Sequence, residues 1–352
     1  MKTKLRALTI LFVGLAVTCL TLATRMASAT PPAGESGYHL IKKVSLGGEG
    51  FWDYLALDGP SRRLFISRGT HVMVLNVDSY EVVGDIPDTE GVHGIAIAPE
   101  FGRGFTSNGR ANTVTIFDLK TLKPIGSVKT GQNPDAILYD PASKRAFTFN
   151  GRSGDATAID ASSGTVAGSV ALDGKPEFAT ADGAGHLFVN LEDKSELLAL
   201  DSQALTVASR WPLAPCEGPS GMAIDPEHSR LFIGCGNKIM AIVDAKSGKV
   251  VATEPIGDHV DANRFDAATG LAFASCGDGT LTVVHEDTPD KYTVLENVAT
   301  QRGARTMEVD PKTHNVFLVT AEFGPPPTAT PENPRPRPSM VPGSFTLLVF
   351  GR

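Results

Sequence analysis

"GQNPDAILYDPASKRAFTFNG", residues 131–151, holds two carboxylates five positions apart, Asp135 and Asp140, followed by Lys144 and Arg145. Alone, it reads equally as a metal-binding loop, half of an acid/base pair, or a plain hairpin. Its recurrence decides between these. "DYLALDGPSRRLFIS" starts at Asp53, "HGIAIAPEFGRGFTS" at His93 and "DAILYDPASKRAFTF" at Asp135. "EFATADGAGHLFVN" starts at Glu177, "SGMAIDPEHSRLFIG" at Ser220, "DANRFDAATGLAFAS" at Asp261 and "RTMEVDPKTHNVFLV" at Arg305. The starts are spaced by 40, 42, 42, 43, 41 and 44 residues. A period of this size, filled with short strands, is the signature of a β-propeller.

Each unit reads as four antiparallel strands. An apolar strand leads to a turn at Asp-Pro or Asp-Gly, and a second strand carries a Phe, as in "RLFIS". A Gly/Asn loop, a third strand such as "NTVTIFD", a Ser-Gly or Thr-Leu turn and a fourth strand such as "KPIGSV" follow. Seven units predict an all-β, seven-bladed propeller over residues 38–352. The seventh unit ends on its third strand, "GSFTLLVFGR", so it lacks a fourth. "YHLIKKVSLGG", residues 38–48, precedes the first unit and is expected to pair with residues 344–350, closing the ring. Closure removes the free sheet edges that invite aggregation.

On the seven units, and on "RLFIS", "RAFTFN" and "HLFVN" in particular, the chain resembles the YVTN-type, YncE-like family of exported β-propeller repeat proteins. The resemblance spans residues 38–352. It implies the fold; function differs among propellers and must be read from the site. The Gly-His…Trp-Asp pattern of WD40 repeats is absent, and two tryptophans are too few for the docking motifs of quinoprotein dehydrogenases.

The repeat separates scaffold from site. Asp58, Asp140, Asp182, Asp225, Asp266 and Asp310 recur at the first turn, where a carboxylate can accept backbone N–H bonds; the second unit has Ala98 instead. Phe65, Phe105, Phe147, Phe188, Phe232, Phe273 and Phe317 recur on the second strand and are read as packing between blades. Asp78, Asp118, Asp160, Asp201 and Asp244 are read as opening the second turn.

Positions that differ between equivalent units carry more information. The first residue of each inner strand should ring the upper mouth of the central channel. These are Asp53, His93, Asp135, Glu177, Ser220, Asp261 and Arg305, with Trp52 and His259 close in sequence. Convergent titratable groups in a concavity make a candidate ligand site. Asp53, His93, Asp135, Glu177 and Asp261 could hold a divalent cation, and a histidine among carboxylates tilts the choice toward a transition metal. A water-filled polar channel with internal ion pairs is the plain alternative. Arg68, Arg110 and Arg152 lie in loops of successive blades and could form a basic arc on the same face. In the seventh blade, residues 324–343 form a Pro-rich insertion containing Arg335 and Arg337, either a lid on the top face or a plain surface loop. Cys216 and Cys235 are expected to meet in a disulfide, leaving Cys276 free.

Residues 1–29 read as a secretory signal peptide: Lys2, Lys4 and Arg6, an apolar run from Ala7 to about Ala23, and "ASA" before the cut. A periplasmic or secreted protein is expected, with no membrane span after cleavage, and a monomer. Removing Lys2, Lys4, Arg6 and Arg25 takes the net charge from −7 to −11. That excess repels phosphate backbones and disfavours nucleic acid, although nucleic-acid binding has been proposed within the YncE-like group. Gly-x-Ser-x-Gly, His-Glu-x-x-His, P-loop and Cys-x-x-Cys motifs are absent, and "CGDGT", 276–280, falls at a hairpin turn. The expected function is therefore binding: recognition of a small molecule or protein partner at the top face. The second reading is a metal-dependent enzyme, since some seven-bladed propeller lactonases and lyases hold a divalent metal at this mouth. No motif of theirs transfers here residue by residue.

Overall fold

The computed structural model describes residues 35–328, 330, 336 and 338–352. The expected signal peptide, Arg335 and Arg337 lie outside the described residues. Seven antiparallel sheets of four strands each form the ring, one per repeat. Blade three is typical, with strands Pro134–Asp140, Arg145–Asn150, Asp155–Asp160 and Val166–Ala171 running from the channel outward.

Turn chemistry sets the hairpins. Asp140 accepts the backbone N–H of Ala142 and Ser143, at 3.3 and 3.0 Å, and Asp225 those of Glu227 and His228, at 3.0 and 3.3 Å. At the second turn Asp118 accepts from Lys120 and Thr121, and Asp244 from Lys246 and Ser247. In blade one this task falls to Asn76, which accepts from Asp78 and Ser79, rather than to Asp78 as expected. Asp78 instead binds Arg62 at 2.8 Å, and Arg62 also reaches Asp310 of blade seven at 2.6 Å. This ion pair spans the seam where the ring closes.

Packing between blades follows the recurrent phenylalanines, all at most 4% exposed. Phe65 shares a cluster with Val92 and Ile95 of blade two, Phe147 with Ala179 and Leu187 of blade four, and Phe273 with Met307 and Val309 of blade seven. Each ring thus fills the wedge against the following blade, where loss of a buried aromatic costs about 3–5 kcal/mol.

Blade seven takes its outermost strand from the other end of the chain. His39–Ser45 pairs antiparallel with Thr346–Gly351, from His39 opposite Gly351 to Ser45 opposite Thr346. Arg68 pins the return from this strand into blade one, donating to the carbonyls of Gly47, Glu49 and Gly50 at 3.2, 2.8 and 3.3 Å. Its guanidinium lies 3.5 Å from the centre of the Phe345 ring. Gly50 sits at φ 97° with its Cα facing the Arg68 carbonyl, where a Cβ would come within 2.6 Å of the oxygen. Among the described residues no helix is long and apolar enough to cross a membrane.

Candidate functional site

The first strands enter the blades at the channel mouth, and groups on the same or the preceding blade fix their starting residues. Ser67 accepts the Asp53 N–H at 2.9 Å. Ser107 of blade two donates to the Asp135 carbonyl, Ser275 of blade six to the Arg305 carbonyl, and Asn190 of blade four to the Ser220 carbonyl at 2.6 Å. Three of these four bonds tie the mouth backbone of one blade to a side chain of the blade before it.

Asp53, His93 and Asp135 come together. His93 Nδ1 lies 2.6 Å from Asp53 Oδ2 and 3.5 Å from Asp135 Oδ1, and one donor atom from each of the three lies within 4.8 Å of the others. On the opposite side Arg305 Nε stands 2.6 Å from Asp261 Oδ2, an ion pair without hydrogen-bond alignment. Ser220 Oγ donates to Asp261 Oδ1 at 3.4 Å. Glu177 faces Lys175 Nζ at 3.1 Å, again out of line, and Lys175 is also held by Glu192. The four carboxylate side chains are 16–18% exposed.

Crowding of acids in a half-dry cup shifts their proton affinities. Burial pushes Asp135 up to about 7 against the pull of His93, with Asp53 and Asp261 adding to the rise. Burial likewise raises Asp261 to about 7 against Arg305, helped by Asp53 and Glu177. Glu177 rises to about 7 through burial and the charges of Asp135 and Glu192, opposed by Lys175. For His93, burial is the largest influence and acts downward. The Asp53 bond and the charges of Asp135, Asp53 and Glu177 together outweigh it and hold the imidazole up at about 9.

The cup has a floor. Tyr54 of blade one and Phe178 of blade four meet edge to face across the channel, with ring centroids 5.3 Å apart. The Tyr54 hydroxyl comes within 3.5 Å of the Glu177 carbonyl. Arg264 of blade six lies over the Phe178 ring at 5.7 Å and binds Glu308 of blade seven at 2.9 Å. Tyr54 is raised well above its ordinary pKa by burial, then by the charges of Asp135, Asp53, Asp261 and Glu177. Sequence reasoning missed Tyr54, Phe178 and Lys175. Strict strand alternation sends neighbours to opposite faces, whereas blade four's first strand is irregular between Pro176 and Ala179, and the bulge turns both Glu177 and Phe178 inward. The one available signal is an aromatic directly after the mouth residue, at Tyr54 and Phe178, where the other blades carry Gly, Ala or Thr.

Other expected residues lie elsewhere. Arg68 is fully buried, and burial draws its guanidinium down to about 10, so it cannot belong to an exposed basic arc; its loop folds back under the closing strand. Arg110 is exposed and paired with Glu90 at 2.6 Å, and Arg152 is exposed. His259 is 78% exposed, with Asp258 at 3.3 Å. Trp52 packs on Phe345 and on Phe323, at the stem of the Pro-rich insertion, rather than lining the cup. Phe323 bridges to Met340 there. Cys216 and Cys235 are joined in a disulfide with Cα atoms 5.5 Å apart, and Cys276 is a buried thiol.

Neither a protein-family model nor a curated protein sequence matches the chain. Solved structures do. One chain of Kuenenia stuttgartiensis hydrazine synthase is similar at a TM-score of 0.66 and 16% identity, covering 79% of this chain and 94% of that one. A chain of a mitotic checkpoint complex is similar at a TM-score of 0.71 and 12% identity, covering 97% and 99%. At these identities the likeness is one of fold, and the chain is a seven-bladed β-propeller.

Proposed function

We propose that this chain is an exported recognition protein of the YncE-like type, and that its channel mouth takes a small cationic ligand into the cup above Tyr54 and Phe178. The observation that carries this is the charge balance. Asp53, Asp135, Glu177 and Asp261 converge on one half-buried cup, and three of them are held near 7 although His93, Lys175 and Arg305 are close by. Such a cup gains more from a cation than from any other ligand class.

A divalent ion is the simplest such ligand. Asp53, His93 and Asp135 offer two carboxylate oxygens and an imidazole nitrogen, a donor set that suits a first-row transition ion. The 2.6 Å between His93 and Asp53 is slightly shorter than two donors on one ion would stand, so the ion would replace the proton that now joins them. Thermal melts with and without EDTA, and with added Ca²⁺, Mg²⁺, Mn²⁺ or Zn²⁺, test this. Binding to the native state raises the melting temperature by mass action. No shift with any of the four ions, or a shift unchanged by D135N and H93A, would refute it.

A second reading, metal-dependent lactonase- or lyase-like chemistry, draws on one observation. Asp261 and Asp135 are held near 7, where a carboxylate serves best as a general base at neutral pH. It requires the same ion and in addition a substrate turned over, and so fails separately if the ion binds and no acyl or glycosyl-acid ester is cleaved.

A further inference from the structure

At the end of the ring opposite the mouth, a cleft of about 280 Å³ opens between blades five and six. Asp225, Glu227, His228, Glu286 and Asp287 line it, four carboxylates and one imidazole with no lysine or arginine among the lining residues. Nearby Arg230 is spent elsewhere, on Asp244 at 2.8 Å, Asp290 at 3.0 Å and the Pro289 carbonyl at 2.7 Å.

Two of these residues break the repeat. His228 stands three positions after the turn aspartate, where blades one, six and seven have Ser61, Thr269 and Thr313, whose hydroxyls bind Asp58, Asp266 and Asp310. His228 Nδ1 takes that place, 2.6 Å from Asp225 Oδ2. Glu286 stands where the residue after the third strand donates its N–H to the first turn, at Gly270. The equivalent bond is made in blades one to five by Val77, Leu119, Ala161, Ser202 and Ala245. A small or apolar interior position is thus occupied by a glutamate in blade six alone of these six.

That glutamate is not satisfied by its surroundings. Its side chain is 4% exposed, and Oε1 has no hydrogen-bond partner; it lies 3.7 Å from His228 Nδ1, facing the imidazole. A buried carboxylate oxygen without a donor is costly, and needs either a proton or a cation. One donor atom each from Asp225, His228 and Glu286 lies within 4.8 Å of the other two.

We propose that Asp225, His228 and Glu286 form a second divalent-metal site, at the lower face between blades five and six, suited to a first-row transition ion. One imidazole among carboxylates favours such an ion over Ca²⁺ or Mg²⁺, and the partly exposed His228 gives it an entry path. The ion binds the orphaned Glu286 oxygen and links the turn of blade five to the third strand of blade six.

Zn²⁺ is the probe, titrated by calorimetry into the purified chain. E286Q keeps the size of the side chain and H228A removes the imidazole. Each is compared with its parent in two backgrounds, wild type and H93A/D135N, so that the outcome does not depend on the mouth. The expected result is one Zn²⁺ equivalent lost, or bound at least tenfold more weakly, in both variants and both backgrounds. E286Q is also expected to melt no lower than its parent without zinc and, in the H93A/D135N background, to lose the parent's zinc-induced rise in melting temperature. Unchanged stoichiometry and affinity in E286Q and H228A, or no Zn²⁺ uptake by the H93A/D135N parent, would overturn the site.

Discussion

Tyr54 and Phe178, from blades one and four, meet edge to face across the central channel at 5.3 Å. The contact converts a through-channel into a cup, and with it turns a ring of carboxylates from solvated surface groups into half-buried ones. Their raised proton affinities and the proposed ligand site both depend on that floor.

Truncating the floor should therefore act twice. Y54A is expected to cost about 3–5 kcal/mol in denaturant unfolding, as for other buried aromatics. It should also let water reach the carboxylates, lowering Asp135 toward the ordinary range, as read by carboxyl chemical shifts across a pH series. Y54F should be nearly neutral, since the hydroxyl contact is a long 3.5 Å.

The mouth groups should make stability fall as pH rises, opposite to turn acids such as Asp160 and Asp287, which are lowered to about 2 and act at the acid end. An acid raised to about 7 in the folded chain and near 4 in the unfolded one keeps its proton longer when folded. Between these values the folded state binds more protons, so stability declines with increasing pH. His93, raised to about 9, contributes stability that is complete below about 6.5 and lost as pH climbs to about 9. Both trends run the same way. E177Q should reduce the loss between pH 4 and pH 7 by something on the order of 2 kcal/mol; an identical slope in E177Q would contradict the assignment.

Reduction should weaken blade five. The Cys216–Cys235 bond closes a 19-residue separation. C216S/C235S is expected to lose about 3 kcal/mol, measured by chemical denaturation. Native alkylation should leave Cys276 unmodified, because it is fully buried and burial pushes its thiol up to about 12.

Ring closure should depend on Arg68. R68K keeps a charge but cannot spread donors over three carbonyls while stacking on Phe345. Together with deletion of residues through Ser45, it should expose the Thr346–Gly351 edge and yield higher oligomers in size-exclusion chromatography.

Much of this was legible in the sequence because a repeat is its own control. Comparing units showed that Asp140 serves a turn and that Asp135, whose counterparts differ around the ring, faces the mouth. The same comparison marks His228 and Glu286 as departures, and there the signal went unread until the seam between blades five and six placed them side by side. Tyr54 and Phe178 stayed hidden for another reason. The inward orientation of Phe178 comes from an irregular strand start, which a period-two pattern does not encode, and Tyr54 lies just before its strand begins at Leu55. Arg68 looked like a loop arginine because the sequence does not show that residues 47–50 fold over it.

The most direct test of the proposed function is divalent-cation binding at the mouth with the lower site silenced. Calorimetric titration of Mn²⁺ and Zn²⁺ into E286Q/H228A should show one equivalent, lost or weakened at least tenfold by D135N and by H93A. The fold should remain intact in D135N and H93A, as judged by an unchanged near-ultraviolet circular dichroism spectrum without metal. A chain that takes up no cation in the E286Q/H228A background, or that binds one equally well without Asp135 and His93, would contradict the account.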